Sequence, residues 1–300
     1  MKIFSKKRIA VLCVVCLIVC MVSGFTSPIA GADAGSAASA PTPLTDTRNT
    51  AGGAIPVYIN GIKASDAYKL GDTVYLPLNK FFSAAGLPAY ISWDEKSGTV
   101  HVTADGFALT AVAGQEYVTM NDRCFYVPDG LQKKDGIPAL PVSTLAAALQ
   151  YQVIWDKQST SVNLSADEPK PLEQAGAYYN EQDLYWLSHL INAEAGNQPF
   201  EGKIAVGDVV LNRVADPTCP DTIHDVVFDS RYGVQFSVVS SGGIYATPNV
   251  ESVAAAKACL EGANVVSDAL YFVNPTIASS KWFDQTRKFI ATIGEHDFYA

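Results

Sequence analysis

The chain has 300 residues, which is too long for one ordinary hydrophobic core and predicts about two domains. Hydrophobic residues make up 48% of the chain, which is enough to form the cores of both. Its formal net charge of −9 and its lack of a basic cluster argue against nucleic acid as a partner, because phosphate recognition requires a positively charged surface. Three of the six cysteines lie within the first 20 residues, and the other three, Cys124, Cys219 and Cys259, are an odd set without CxxC spacing, which argues against a disulfide scaffold or a zinc ribbon.

Residues 1–34 have the layout of a secretory signal peptide. Four basic residues between positions 2 and 8 precede an apolar run of roughly fourteen residues, and small residues follow up to Ala34. The run is shorter than the roughly twenty residues of a spanning helix, so we expect a secreted or envelope protein, with an uncleaved N-terminal anchor as the alternative. The bulky Val19 disfavours lipidation at Cys20. Cleavage after residue 34 would leave 17 basic and 29 acidic residues, a net charge of −12.

Residues 35–55 are small, polar and proline-bearing, which predicts a flexible linker. Two later stretches, residues 75–102 and 139–164, match each other at a spacing of about 62 residues. Each repeat predicts a strand hairpin with an Asn turn, a short helix and a second hairpin. Asp94 and Asp156 are expected to cap the turns of the second hairpins.

The repeated pattern "LPL…WD.K…V" over residues 56–166 resembles the copper amine oxidase N-terminal-like domain, a stalk-type module of exported bacterial proteins. The resemblance implies a spacer or a wall-binding module with an α+β fold. Copper is not expected, because His101 is the one histidine of the region and no ligands cluster around it. A charged, proline-containing linker over residues 167–179 follows.

The segment "NEQDLYWLSHLINAEAG" predicts a helix from Glu181 to Ala195, capped by Asn180 and closed by Gly196. One stripe of this helix combines three apolar residues with a glutamate: Leu184, Leu187, Ile191 and Glu194. Burial and the negative end of the helix both disfavour a charged carboxylate, so we expect a raised pKa for Glu194. A raised pKa suits a general acid, and the alternative is simple pairing with a cation such as Arg213.

The rest of the chain predicts further helices and a small sheet. Residues 200–214 form a buried helix in which Gly207 permits close packing and which ends at Asp216 before a proline. Two more helices are expected over residues 221–228 and from a Thr247 cap to Gly262, and strands over 269–273 and 289–294. The C-terminal domain, residues 180–300, is therefore expected to be mainly helical, and the whole chain α+β. A Cys219–Cys259 disulfide is left open.

Five segments in order carry a second resemblance: "INAEAGNQPFEGKIAVGDVVLNRV", "VQFSVV", "TPNVESVAAAKACLEG", "ALYFVNP" and "IGEHDFYA". Together they resemble the SleB/CwlJ-type cell wall hydrolase family of spore cortex-lytic enzymes over residues 180–300. The resemblance implies a lysozyme-like, lytic-transglycosylase-like fold that acts on peptidoglycan glycan strands without a cofactor. The chain departs from some members, which carry Arg-Gly-Glu at residues 196–198 and a glycine in place of Val234.

The resemblance also implies roles for individual residues. Glu194 matches the catalytic glutamate of the "AEA" motif. Gln235 and Ser237 match the glutamine motif that lines the glycan groove, and Tyr271 and Asn274 match a motif near the catalytic acid. No metal site is implied.

A single glutamate suffices for a lytic transglycosylase, in which it first donates a proton and then accepts one from the C6 hydroxyl of the sugar. Hydrolysis generally uses two carboxylates. Glu201 is the candidate second carboxylate, although its place in a first helical turn fits helix stabilisation equally well. A muramidase that uses water therefore stays open.

Two other classes compete with glycan cleavage. A zinc-dependent amidase would need clustered ligands, whereas His189, His224 and His296 lack the HExxH spacing. A non-catalytic wall-binding protein is the other class. The expected partners are peptidoglycan glycan strands, with a further wall or protein contact through residues 56–166.

Overall fold

A computed structural model describes residues 53–231, 235–276 and 285–300. The expected signal peptide and residues 35–52 of the expected linker lie outside the described residues. Within the described ranges, no helix is both long and apolar enough to cross a membrane. Helices and strands occur in both halves of the chain, which confirms the α+β class.

The N-terminal half consists of two sheets and two short helices. Its strands are β1 (Ile55–Ile59), β2 (Ile62–Leu70), β3 (Thr73–Pro77), β4 (Tyr90–Asp94), β5 (Thr99–Ala104), β6 (Phe107–Val112), β7 (Tyr117–Met120), β8 (Arg123–Tyr126), β9 (Gln132–Lys134), β10 (Ile137–Pro141), β11 (Gln152–Asp156) and β12 (Ser161–Ser165). Among the described strands, one sheet has the order β11-β12-β1-β2-β3-β10-β9 and the other β4-β5-β6-β7-β8. Helices α1 (Leu78–Ala84) and α2 (Val142–Ala148) follow β3 and β10.

The two halves of the tandem repeat adopt equivalent local structures. Asn60 and Asn121 both have a left-handed φ, +48° and +50°, in tight turns that asparagine tolerates. Strands β3 and β10 pair antiparallel, with Pro77 opposite Ala139. Strand β1 pairs in parallel with β12, so the first and last strands of this half are neighbours. This pairing closes the N-terminal half into one folded body around its own apolar core.

Asp94 and Asp156 hold the turns of the second hairpins, as the sequence predicts. The Asp94 carboxylate accepts a hydrogen bond from the Lys96 N–H at 2.9 Å. The Asp156 carboxylate accepts one from the Gln158 N–H at the same distance. Both aspartates therefore have a local structural role.

The C-terminal half is mainly helical with a small sheet. Its helices are α3 (Ala175–Tyr178), α4 (Glu181–Ala195), α5 (Phe200–Ala215), α6 (Ile223–Val227), α7 (Ser237–Ser241) and α8 (Val250–Leu260), with a 3₁₀ turn over Gly243–Tyr245. The described strands β13 (Tyr271–Val273), β14 (Phe289–Ile293) and β15 (His296–Tyr299) pair in the order β13-β15-β14. The predicted α4 has the observed bounds, whereas α7 and β15 were not predicted.

Helix α8 begins two residues later than the sequence predicts, so the assignment of Thr247 as its cap is wrong. Asn249 is the cap, because its side-chain oxygen accepts a hydrogen bond from the Ser252 N–H at 2.7 Å. Asn249 also donates from its side chain to the Gly196 carbonyl at 3.1 Å, and its N–H donates to Asn192 at 3.0 Å. These bonds tie the start of α8 to the end of α4.

Helices α4, α5 and α8 pack closely together at Gly207 in the middle of α5. A Cβ atom at this position would lie 2.6 Å from the Cys259 sulfur of α8 and 3.0 Å from the Ile191 Cδ1 atom of α4. Both distances are shorter than van der Waals contact, so only glycine fits without displacement. Cys259 is buried, and both Cys259 and Cys219 are free thiols. The structure therefore has no disulfide between Cys219 and Cys259.

A buried ion pair joins the N-terminal half to the helical half. Arg123 of β8 donates two hydrogen bonds to Glu261, at 2.7 and 2.5 Å, and both side chains are less than a tenth exposed. The Tyr179 hydroxyl donates a third bond to Glu261 at 2.5 Å. The two side chains neutralise each other's charge and share two hydrogen bonds in a bidentate geometry. The pair therefore fixes the contact between β8 and the end of α8.

We expect Gly207→Ala to lower the free energy of unfolding by about 1–3 kcal/mol, because the added methyl group must displace α4 or α8 in a close-packed core. Urea unfolding followed by circular dichroism measures the change. Gly176→Ala is the matched control, since no atom lies within 4 Å of a Cβ there and helix α3 gains propensity. A Gly207→Ala variant as stable as the control would contradict the packing argument.

Candidate active site

Glu194 lies in the last turn of α4, on the side that faces the protein interior. Asn180 caps the start of this helix by accepting hydrogen bonds from the Gln182 and Asp183 N–H groups at 2.9 and 3.2 Å. Leu187 and Ile191, on the same stripe as Glu194, are fully buried against the helical core. The side chain of Glu194 is therefore carried to the edge of the core by the helix that buries its apolar neighbours.

Burial raises the pKa of the Glu194 carboxyl group. This direction agrees with the sequence-based expectation, and desolvation is its physical cause. Among the described residues, the Glu194 carboxylate has no hydrogen bond and no ion pair. Arg213, the alternative partner, instead donates its Nε–H to the Leu270 carbonyl at 2.8 Å. Pairing with Arg213 therefore does not explain why a carboxylate occupies this position.

Glu194 opens into a cleft with a volume of about 530 Å³. The cleft brings together residues that are up to 102 positions apart in the chain, from Glu194 to His296. All five residues of the predicted catalytic and substrate-binding set line it: Glu194, Gln235, Ser237, Tyr271 and Asn274. Phe236, Phe272 and Val273 supply apolar surface between these polar groups. The cleft thus places one carboxyl group with a raised pKa beside amide groups, hydroxyl groups and apolar side chains. Sugar rings make contacts with groups of these kinds.

Three of the polar residues of the cleft lie on or next to α7 and β13. Ser237 begins α7, Tyr271 begins β13, and Asn274 follows that strand in a turn. The Asn274 side-chain oxygen accepts hydrogen bonds from the Thr276 N–H at 2.9 Å and from its hydroxyl at 2.6 Å. Its amide group donates to Glu295 at 3.4 Å. The Asn274 side chain is therefore held by contacts on both sides.

Glu201, the predicted candidate for a second carboxylate, does not line the cleft. It is exposed in the first turn of α5, where a negative charge stabilises the helix. Its charge contributes to the raised pKa values of Glu116 and Tyr126 in the N-terminal half, after the larger effect of burial. Glu201 therefore faces the N-terminal half.

Glu295 is a carboxylate that lines the cleft and that the sequence analysis did not single out. Gln198, which is 5% exposed, donates to the Glu295 carboxylate at 3.2 Å and accepts from the Glu295 N–H at 2.9 Å. This double contact fastens the turn between β14 and β15 to the loop between α4 and α5. The sequence signal was the segment "IGEH", whose glutamate stands in the turn between the two strands.

The three histidines of the helical half lie in different surroundings and do not share one site. His296 lines the cleft, and burial lowers its pKa. His189 contacts Tyr185, and His224 contacts Asp225 and Trp186. Within the described part of the chain, no group of three or more His, Cys, Asp or Glu residues is arranged to hold a metal ion.

Comparison with known proteins finds two families along the chain. The family described as Cell Wall Hydrolase matches residues 197–299, and the family described as Copper amine oxidase N-terminal domain matches residues 58–164. Glu194 lies three residues before the first of these matches.

Among curated proteins, a spore cortex-lytic enzyme of Bacillus cereus is 33% identical over 177 residues, which cover 53% of this chain and 67% of that protein. The spore cortex-lytic enzyme of Bacillus subtilis is 32% identical over 120 residues, 40% of this chain and 38% of that protein. Among solved structures, the catalytic domain of the germination-specific lytic transglycosylase SleB from Bacillus anthracis is 35% identical, with a TM-score of 0.37. The alignment covers 41% of this chain and 97% of that domain.

We expect Glu194→Gln to raise the midpoint of thermal unfolding near neutral pH. In the folded protein the pKa of Glu194 is raised, so folding favours the protonated acid. This contribution to stability is complete below the ordinary carboxyl pKa of about 4, and it is lost as the pH rises and the buried group ionises. Glutamine keeps the neutral form at every pH, so its advantage should shrink towards pH 4. Thermal unfolding from pH 4 to 8 measures both effects.

The matched control for this measurement is Glu201→Gln, which removes a carboxylate from an exposed first helical turn. We expect it to lower stability by a few tenths of a kcal/mol at neutral pH. Equal shifts in the same direction for both variants would contradict a destabilising burial of Glu194.

Proposed function

We propose that this chain, which belongs to the spore cortex-lytic enzyme family and is a peptidoglycan-cleaving enzyme, cuts the glycan strand between N-acetylmuramic acid and N-acetylglucosamine as a lytic transglycosylase. The observation that carries the proposal is the position of Glu194. Its carboxyl group, with a pKa raised by burial, lines a cleft together with Gln235, Ser237, Tyr271 and Asn274. The spore cortex, which the relatives' names give as their target, is the proposed wall layer.

The reaction needs one group that both donates and accepts a proton. Protonated Glu194 donates its proton to the glycosidic oxygen as the bond from that oxygen to the muramic acid C1 breaks. The resulting carboxylate then accepts the proton of the C6 hydroxyl, whose oxygen bonds to C1. The products are a free hydroxyl on the leaving sugar and a 1,6-anhydro ring on the muramic acid, and Glu194 returns to its protonated form.

The other residues of the cleft are proposed to hold the sugar in place. Amide groups of Gln235 and Asn274 and hydroxyl groups of Ser237 and Tyr271 can each exchange hydrogen bonds with hydroxyl and N-acetyl groups of a glycan. Phe272, which is partly exposed, can pack against the apolar face of a sugar ring, whereas Phe236 is 3% exposed and its ring lies beside Arg213. The strand would then lie with its scissile bond beside Glu194.

A muramidase is the second candidate, because Glu295 lines the same cleft as Glu194. A hydrolase generally pairs an acid with a second carboxylate that activates water or attacks the sugar. Glu295 is held towards the cleft by Gln198 and Asn274, so it can act on a group in the cleft without a large change of conformation. In this reaction water, and not the C6 hydroxyl, supplies the oxygen that bonds to C1.

The rest of the chain is proposed to bring this site to the wall. Residues 1–34 would direct export, residues 180–300 would form the catalytic domain, and residues 56–166 would contact the wall or a partner protein. The ion pair between Arg123 and Glu261 supports a fixed attachment of the N-terminal half to the catalytic half. A contact through the N-terminal half would therefore also orient the cleft.

Digestion of purified cortex peptidoglycan followed by mass spectrometry of the products tests the reaction. We expect 1,6-anhydro-muramic ends from the wild-type protein and a loss of at least 100-fold in activity for Glu194→Gln, because a general acid contributes about 10²–10⁴-fold. Glu201→Gln is the control and should cut at a rate close to that of the wild type. Near-normal activity of Glu194→Gln would refute the assignment of the acid.

The same products distinguish the competing reactions. Reducing muramic ends that disappear in Glu295→Gln would establish the muramidase. Free stem peptides would indicate an amidase. A transglycosylase should keep its anhydro ends in Glu295→Gln, since that carboxylate takes no part in the proton transfers described above.

A further inference from the structure

A second cavity, with a volume of about 340 Å³, lies beside the cleft. Three residues line both spaces: Arg213, Gln235 and Tyr271. The charged residues of the second cavity are three arginines and one aspartate, Arg213, Arg231, Arg287 and Asp229. The whole chain has a net charge of −9, whereas the side chains that line this cavity carry a net positive charge.

Arg213 is the buried cation of this cavity, with 8% of its surface exposed. Its Nε–H donates to the Leu270 carbonyl at 2.8 Å, and the rings of Phe236 and Tyr271 lie 5.2 and 5.5 Å from its central carbon. Among the described residues, no acceptor is found for its remaining N–H groups. Burying a guanidinium group without a carboxylate is costly, so a ligand that accepts these hydrogen bonds would recover free energy.

The aspartate of the cavity is already engaged by another arginine. Asp229 accepts hydrogen bonds from the Arg231 N–H and Nε–H, both at 3.0 Å, and from its Nη2 at 2.9 Å. Asp229 therefore forms its hydrogen bonds with Arg231 and acts on Arg213 through its charge alone. On the other side, the central carbon of Arg287 lies 4.4 Å from the centroid of the Tyr271 ring, which places a second cation at the wall shared with the cleft.

We propose that this second cavity binds a carboxylate of the substrate strand, with Arg213 as the principal donor and Arg287 as the second. The inference rests on the proposed cleavage of glycan strands and adds a specificity to it. A guanidinium group presents paired N–H donors that match the two oxygens of a carboxylate. Peptidoglycan carries such groups on its stem peptides and on the lactyl side chains of muramic acid residues that lack a stem. The enzyme then selects strands that have a carboxylate next to the bond that is cut.

Binding of strand fragments to the Glu194→Gln protein, which should not cut them, tests the site by isothermal titration calorimetry. The probes are a peptidoglycan tetrasaccharide with tripeptide stems, the same fragment with its carboxyl groups converted to methylamides, and a tetrasaccharide with free lactyl carboxylates. We expect methylamidation to weaken binding roughly tenfold, the effect of losing a charge-assisted hydrogen-bond pair. Comparison of the first and third probes assigns the carboxylate to the stem or to the lactyl group.

Variants of the cavity are made in the same Glu194→Gln background. Arg287→Gln, at an exposed residue, should weaken binding of the carboxylate-bearing fragment and reduce the effect of methylamidation to about twofold or less. Arg213→Lys keeps the charge but loses the paired donors, and it should show the same pattern. Lys288→Gln, which removes an exposed cation next to Arg287 but outside the cavity, is the matched control and should retain the full methylamidation effect.

Equal affinity for the fragments with and without free carboxyl groups would overturn the proposal, and so would an effect of Lys288→Gln as large as that of Arg287→Gln. Either result leaves the cleavage reaction standing, because that reaction is measured by the products of the wild-type protein. Conversely, a wild-type protein that releases no glycan fragments refutes the reaction without altering these affinities.

Discussion

The close packing of α4, α5 and α8 around Gly207 is the constraint on which the catalytic half depends. Since no side chain separates α5 from Cys259 and Ile191, the three helices approach within the distance that only glycine allows. This packing buries the apolar stripe of α4 and carries its last turn to the edge of the core. The Glu194 side chain is largely buried there, which desolvates its carboxyl group. The packing of α4 thus places the acid where burial raises its pKa.

A polar network fixes the rim of the cleft around this acid. Lys203, which is 2% exposed, donates from its amino group to the Gln198 carbonyl and to Glu251 at 3.0 Å. Gln198 in turn holds the turn that carries Glu295, and Glu295 contacts Asn274. The loop after α4, the β14–β15 turn and the end of β13 therefore hold one another in place. A site that must position a sugar ring benefits from such mutual support, because each side chain has few alternative conformations.

Two charged groups at this rim are largely buried without an oppositely charged partner in the described part of the chain. Glu194 loses hydration without gaining a partner among the described residues, and Arg213 is buried with one backbone acceptor. Away from the cleft, Arg123 and Glu261 form a matched buried pair, whereas Asp208 of α5 is buried with one carboxylate oxygen unbonded within the described ranges, and burial raises its pKa to about 7. Groups that lower stability in this way persist where a ligand or a reaction uses them. Glu194 and Arg213 differ from Asp208 in their position, because both line the cleft and Asp208 does not.

The sequence by itself determined the α+β class, the tandem repeat, the bounds of α4 and the direction of the Glu194 pKa shift. These features are local, since a cap, a closing glycine and a 3.6-residue stripe lie within one segment. Only the tertiary structure decided that Glu295, and not Glu201, shares the cleft with Glu194, and that Asn249 caps α8. Both depend on contacts between distant segments: Gln198 meets Glu295, and Asn249 meets the end of α4. Spacing along the chain cannot show which carboxylate faces a cleft, because the direction of a side chain is set by the elements that pack against it.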